Sequence, residues 1–186
     1  MTRNLAILQH SSMVAKAAYE IAQRTTEIDK HLAYQCGMLH DVGKLYLPSE
    51  ESYKHPYLGY EIMQKNSEYF VAQICVSHAF PVFAAEDYLE YYCHGDRAEI
   101  KKIKGALANV ERNIYIELIQ FCDKISGVNS FMSLDEKFTL YKYKKNKTID
   151  DNVAEAIKRN YSVLSQIKGR LDEMIQDDVY LVLKSI

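Results

Sequence analysis

His10, the adjacent pair His40-Asp41, His55, His78 and Asp123 supply four imidazoles and two carboxylates, a donor set suited to holding metal ions. Each falls on a stretch that reads as a helix, on its apolar stripe or at its end, so the side chains would point inward. For any one histidine, a hydrogen-bonded core imidazole is the simpler reading. The joint pattern is harder to explain that way, because two buried carboxylates without a cation would each carry a large desolvation cost. A metal removes that cost. Nitrogen and oxygen donors without thiolate suit iron, manganese, zinc or nickel, and the number of donors matches two divalent ions.

The elements that must position these groups follow from periodicity. His10, Val14, Ala17 and Ile21 recur at helical spacing within a first helix expected over about Leu5 to Thr25. Asp29 is a good N-cap for a second helix carrying Leu32, Cys36 and His40 on one face. Gly43 and Pro48 should end it, with His40-Asp41 in its last turn. Pro56 suits the first position of a third helix, which puts His55 at its mouth. Val71, Ile74, Cys75 and His78 form another stripe that stops before Pro81, and Tyr115, Ile119 and Asp123 form one more. Further on, Thr148 with Asp151 resembles a capping box. It opens a long amphipathic helix through Val153, Ile157, Tyr161, Leu164, Ile167, Leu171 and Met174. That helix could pack on the core or against a second subunit in a homodimer; packing within the same chain is the expectation.

Seven glycines and three prolines in 186 residues leave room for long helices, and β-hairpin signals are absent. The fold is expected to be all-α. Residues 1–186 should form one domain, with a metal-binding core over about 5–130 and a C-terminal helical extension over about 131–186. A net charge of -2 argues against a dedicated nucleic-acid partner. No stretch approaches a membrane span, and the opening residues lack the long apolar run expected of a signal peptide. Four cysteines without CxxC spacing are expected as reduced thiols in a cytoplasmic protein.

Five segments carry a family resemblance: His10-Ser11-x-x-Val14-Ala15, Leu39-His40-Asp41-Val42-Gly43-Lys44, His55-Pro56-x-x-Gly59-x-Glu61-Ile62, Ile74-x-x-x-His78 and Cys122-Asp123-Lys124. In this order they resemble the motifs of the HD-domain superfamily of metal-dependent phosphohydrolases, which are all-α. The likeness covers roughly residues 5–130 and is similar to compact bacterial stand-alone members, including those that split dinucleoside tetraphosphates. The resemblance implies that His10, His40, Asp41 and Asp123 hold one metal. It implies that His55 and His78 hold a second, with Asp41 bridging.

Two divalent ions outweigh two aspartates and a bridging hydroxide, so such a site would attract phosphate. The implied chemistry is in-line attack by metal-bridging hydroxide on the phosphorus of a nucleotide or other small phosphate ester. Asp41 would be catalytic as the bridge, and Lys44 would meet a phosphate oxygen. A solvated lysine at a helix end is the competing reading for Lys44. The same ligand set also fits an HD-fold mixed-valent di-iron oxygenase. A non-catalytic signalling module is a third class, although all six ligand positions are intact here.

Other features are weaker. Gly37 through Lys44 superficially resembles a phosphate-binding loop but fails, because five residues separate the glycines and Leu45 stands where Ser or Thr is needed. Ser77-His78-Ala79-Phe80-Pro81 lacks the Gly-Tyr-Pro motif of one cyclic-dinucleotide subgroup. The His-Asp-x-x-Glu-Asp motif of alarmone hydrolases is missing, because Gly43-Lys44 follows. Residues 79–122, longer than in compact relatives, are expected mostly as a solvated loop or helix. Within them Arg97, near His94 and Asp96, is a candidate phosphate contact. The lysine-rich stretch Lys137 to Lys147, with Phe138, Tyr141 and Tyr143, reads as a solvated helix face. Tyr46, Tyr53 and Tyr57 offer stacking surfaces near the site. Cys36 and Cys75 have ligand-like spacing to His40 and His78 but are left out of the donor set.

Overall fold

A computed structural model describes residues 2–83, 85–144 and 151–185, with the side chains of residues 141–144 outside that description. Among the described residues there are ten α-helices and no β-strand. They are α1 (Arg3–Ala22), α2 (Lys30–Leu39), α3 (His55–Lys65), α4 (Tyr69–Ser77), α5 (Glu86–Tyr92), α6 (Arg97–Leu107), α7 (Ile114–Ile125), α8 (Leu134–Lys144), α9 (Asp151–Ile175) and α10 (Val179–Lys184). Two 3-10 turns, Val42–Tyr46 and Ser49–Lys54, join α2 to α3. The all-α expectation is met.

The starts of these helices are written locally. Asp29 accepts from the His31 and Leu32 amides at the head of α2, Asp96 from Ala98 and Glu99 at α6, and Asn113 from Ile116 at α7. Each side-chain cap of this kind is worth about 1 kcal/mol. At α3 a proline occupies the first turn, where no amide is needed. Thr148, expected to cap α9, lies outside the described residues.

Helix α7 is the spine. It packs against α1, α2, α4, α8 and α9, and its Ile116, Leu118, Ile119, Phe121 and Ile125 are fully buried. Burying each of these side chains contributes roughly 1.5–3 kcal/mol. Around it α1 lies along α2 and α3 along α4. The apolar face of α9 (Leu164, Ile167, Leu171) and Val179, Val182 and Leu183 of α10 join the same core. The C-terminal helix therefore packs on its own chain.

Residues 79–122, expected from sequence as a solvated loop or helix, are helical but contribute a buried apolar face. They fold as α5 and α6 and much of α7, and Phe80, Leu89, Ile100, Ile103 and Leu107 make a second apolar cluster with Val76 of α4. The physical reason is visible in α6, where Ile100, Ile103 and Leu107 share one helical face toward α3 and α4.

Candidate metal centre

The site lies where α1, the α2–α3 connection, α4 and α7 meet. His10 sits on the inner stripe of α1. His40 is the residue that closes α2, and His78 closes α4 in the same way. His55 closes the second 3-10 turn and opens α3. Asp123 occupies the last turn of α7. The sequence places His40-Asp41 inside the last turn of α2; instead α2 stops at Leu39, and the backbone tightens into the 3-10 turn that begins at Val42.

Three of the four histidines are oriented by one repeated device. His40 Nδ1 donates to the Gly37 carbonyl (2.7 Å), His55 Nδ1 to the Ser52 carbonyl (2.7 Å) and His78 Nδ1 to the Cys75 carbonyl (2.8 Å). Each acceptor is a helix-end carbonyl three residues back, where carbonyls have acceptor capacity to spare. A carbonyl only accepts, so Nδ1 carries a proton in each, and in the neutral ring the lone pair lies on Nε2. This is the outer-shell arrangement that fixes the tautomer and orientation of metal-binding histidines.

All the freed nitrogens face the carboxylates. Asp41 Oδ1 lies 3.0 Å from His55 Nε2 and 3.4 Å from His78 Nε2. Its Oδ2 lies 3.5 Å from His40 Nε2 and 3.8 Å from His10 Nε2. Asp123 Oδ1 is 3.0 Å from His10 Nε2 and 3.6 Å from His40 Nε2. Two donor groups result, His10/His40/Asp41 and Asp41/His55/His78, each with its atoms within 4.8 Å of one another. Asp41 belongs to both.

Whether a cation fits can be tested on the donors themselves. His40 Nε2 and Asp41 Oδ1 are buried without a hydrogen-bond partner, although His55 Nε2 stands only 3.0 Å from that oxygen. The distance is short but the proton is on the other ring nitrogen. His55 Nε2 and His78 Nε2 also face each other at 3.1 Å. Lone pairs crowded in this way repel unless something positive sits among them. Donors bound about 2.0–2.2 Å from one ion stand roughly 3–4 Å apart, so the observed spacing suits a cation.

The electrostatics agree. Burial would raise the Asp41 carboxyl, but His40, His55 and Lys44 hold it well below the usual range. Burial opposes Asp123 in the same way, and Lys124, His10 and His40 keep it ionised. His40 is pushed down by burial and lifted further by Asp41 and Asp123, to about 9. Burial and Lys44 bring His55 down to about 4, and burial lowers His78.

A pocket of about 360 Å³ opens over these groups. His10, His55, His78 and Asp123 line it, and Lys44, Lys124, Lys137 and Tyr92 complete its wall. Lys44 Nζ lies 2.5 Å from Asp41 Oδ2, and Lys124 Nζ 2.7 Å from Asp123 Oδ2. Asp123 thus turns one oxygen to a lysine and the other to histidines, whereas Asp41 turns both oxygens to histidines and shares one of them with Lys44.

Several parts were not singled out from sequence. Tyr92, from α5, brings its hydroxyl within 3.5 Å of His55 Nδ1. Lys137 comes from α8 at the start of the lysine-rich stretch. Of the rest of that stretch, Lys145 and Lys147 lie outside the described residues, as do the side chains of Tyr141, Lys142, Tyr143 and Lys144. Buried Gln120 donates to the Ser77 and Phe80 carbonyls (2.9 and 3.1 Å), clamping α7 to the end of α4 where His78 stands. These contacts link residues about forty positions apart, beyond the reach of local pattern.

Other candidates fall elsewhere. Arg97 is 75% exposed at the head of α6 and paired with Glu90 at 2.7 Å, away from the pocket. Tyr46 is exposed, Tyr53 bonds Asp96, and Tyr57 stacks beside Tyr60. The tyrosine at the cleft is Tyr92. The four cysteines are buried free thiols, and burial pushes Cys36 up to about 12. No helix among the described residues is long and apolar enough to cross a membrane.

No solved structure matches the chain. The family model described as HD domain matches residues 7–127, a span that begins just before His10 and ends just after Asp123. The chain therefore belongs to the HD-domain family, whose members are generally metal-dependent phosphohydrolases.

Proposed function

We propose that this protein is a metal-dependent phosphohydrolase or phosphodiesterase acting on a small phosphate ester of the nucleotide class. The observation that carries the reading is the set of three histidines held through Nδ1, with their Nε2 atoms converging on Asp41 beneath a mouth lined by lysines. His10, His40, Asp41 and Asp123 would hold one divalent ion and Asp41, His55 and His78 a second, drawn from iron, manganese, zinc or nickel. Such ions, when bound, lower the pKa of water and polarise a phosphoryl oxygen.

The chain's own groups supply the remainder. Lys44 and Lys124 place ammonium groups beside the two aspartates, where a phosphate's charge would otherwise meet carboxylates. Asp41, with its two oxygens turned to opposite histidine pairs, keeps the two halves in register. Tyr92 lines the cleft beside His55, and Ala79 lines it next to His78. A lysine-lined mouth favours an anionic substrate, which weighs against oxygenase chemistry on a neutral one. It gives a purely structural role nothing to do.

The test is metal analysis of the purified protein, followed by a hydrolysis screen with manganese, iron, nickel and zinc. The screen would cover nucleotides, dinucleoside polyphosphates, cyclic nucleotides and a chromogenic phosphodiester, with oxygen uptake recorded alongside. Metal-dependent phosphate-ester cleavage is expected. Oxygen-dependent turnover without hydrolysis, or failure to bind any of the metals, would reject the proposal.

A further inference from the structure

A second hollow, of about 180 Å³, adjoins the metal-side pocket and shares Tyr92 and Lys124 with it. Its chemistry is different. Tyr88, Tyr91 and Tyr92 of α5 form one wall, and Phe138 of α8 with Ile157 and Leu164 of α9 form the other. Behind the first wall the rings are packed among themselves, with Phe80 5.0 Å from Tyr92 and 6.2 Å from Tyr88, so these faces are held in place. The walls are tied together: Arg159 of α9 pairs with Asp87 of α5. Buried Asn160 of α9 accepts from the Val82 amide at 3.3 Å. Asn160 also lines the hollow, and its NH₂ group carries the donors it can offer there.

We propose that this hollow receives the aromatic base of a nucleotide whose phosphate occupies the lysine-lined pocket. The inference rests on the phosphohydrolase reading for what lies in that pocket, and it assigns the group that the phosphate carries. Tyr92 and Lys124 stand at the junction, so a single ligand crossing from one half to the other passes them both. A flat ring matches the tyrosine and phenylalanine faces, which reward stacking whatever the base. A donor from Asn160 matches the acceptors that every base displays, ring nitrogens in adenine and carbonyls as well in the others. None of the residues on the second wall lies within 7–127, the span shared with the family. The base would therefore be gripped in part by α8 and α9, outside that span.

The test reads binding rather than turnover. Calorimetry on the full-length protein, with and without added Mn²⁺, would compare adenosine 5′-monophosphate with ribose 5-phosphate, which has the same sugar-phosphate and no base. The nucleotide should bind at least about tenfold more tightly, a difference of about 1.4 kcal/mol. Ile157→Arg, which fills the hollow from a half-buried position, should bring the nucleotide to the level of ribose 5-phosphate and leave the latter within about twofold. Tyr91→Ala, on the opposite wall, should narrow the same ratio, with thermal melts confirming that both variants are folded.

Equal binding of the two ligands by the wild-type protein would overturn the assignment, as would a ratio that survives both substitutions. A protein that shows the ratio but hydrolyses nothing would keep the base site and lose the phosphohydrolase reading.

Discussion

At the level of single residues, the lysines and the aspartates they touch have separable duties. Asp41 faces all four histidines, so Asp41→Ala removes a donor from both proposed ion positions at once. His40→Ala removes a fully buried imidazole from the first. Both variants should lose metal and turnover together, as read by elemental analysis and a hydrolysis assay on the same preparation. Lys44 reaches the same carboxylate at 2.5 Å but offers no lone pair to a metal while charged. Lys44→Ala should therefore keep its metal and lose turnover, on the order of 100-fold if the ammonium offsets charge in the transition state. Metal lost from the Lys44 variant would show that the lysine organises the carboxylate rather than the substrate.

Elements bring the histidines together through close backbone approaches. A Cβ at Gly37 would lie 2.5 Å from Ala15 Cα, so α2 can lie against α1 only with glycine there, and His40 faces His10 as a result. At Gly43 a Cβ would run into the His55 carbonyl oxygen and stand 2.8 Å from the Gly59 amide. The turn after Asp41 is thus pressed against the head of α3. Gly43→Ala should force α3 outward and carry His55 away from Asp41, at a cost of about 1–3 kcal/mol. The expected result is a lower melting temperature and loss of roughly half the bound metal, with the His10/His40 half retained. Full metal occupancy with unchanged stability would mean that the contact is soft.

Much of this element-level plan is legible in sequence. The stripes that carry His40 and His78 announce inward side chains, and Gly43, Pro48 and Pro81 announce the stops, although α2 ends at Leu39, before His40-Asp41. The α6 stripe was legible too, since Ile100, Ile103 and Leu107 carry the same period. What pattern could not supply was which distant surfaces meet. Gln120 with Ser77, Asn160 with Val82, and Tyr92 with His55 are contacts made by tertiary packing. Arg97 is a suitable cation by residue type, but it pairs with Glu90 and does not line the cleft.

For the molecule as a whole, the centre links stability to metal and to pH. Any ligand that binds only the folded state stabilises it, by about 2.7 kcal/mol at a hundred times its dissociation constant. For a chain of this size that corresponds to a melting shift of roughly 5–10 °C on chelation. The proton on His40 sets how this shift varies. Its folded-state pKa is raised to about 9, from an ordinary value of 6.5, so in the metal-free protein it contributes stability present below pH 6.5. That contribution is lost as pH rises toward 9. Metal must displace the same proton, so metal affinity climbs over this interval. His55, held down at about 4, is neutral throughout and does not oppose the trend. The gap in melting temperature between metal-loaded and chelated protein should therefore widen from pH 6.5 to 9 at constant free metal. Calorimetric titration of metal in buffers of different ionisation enthalpy should show about one proton released per protein near pH 7. A gap that stays flat, with no buffer dependence of the binding heat, would place that proton somewhere other than the metal centre.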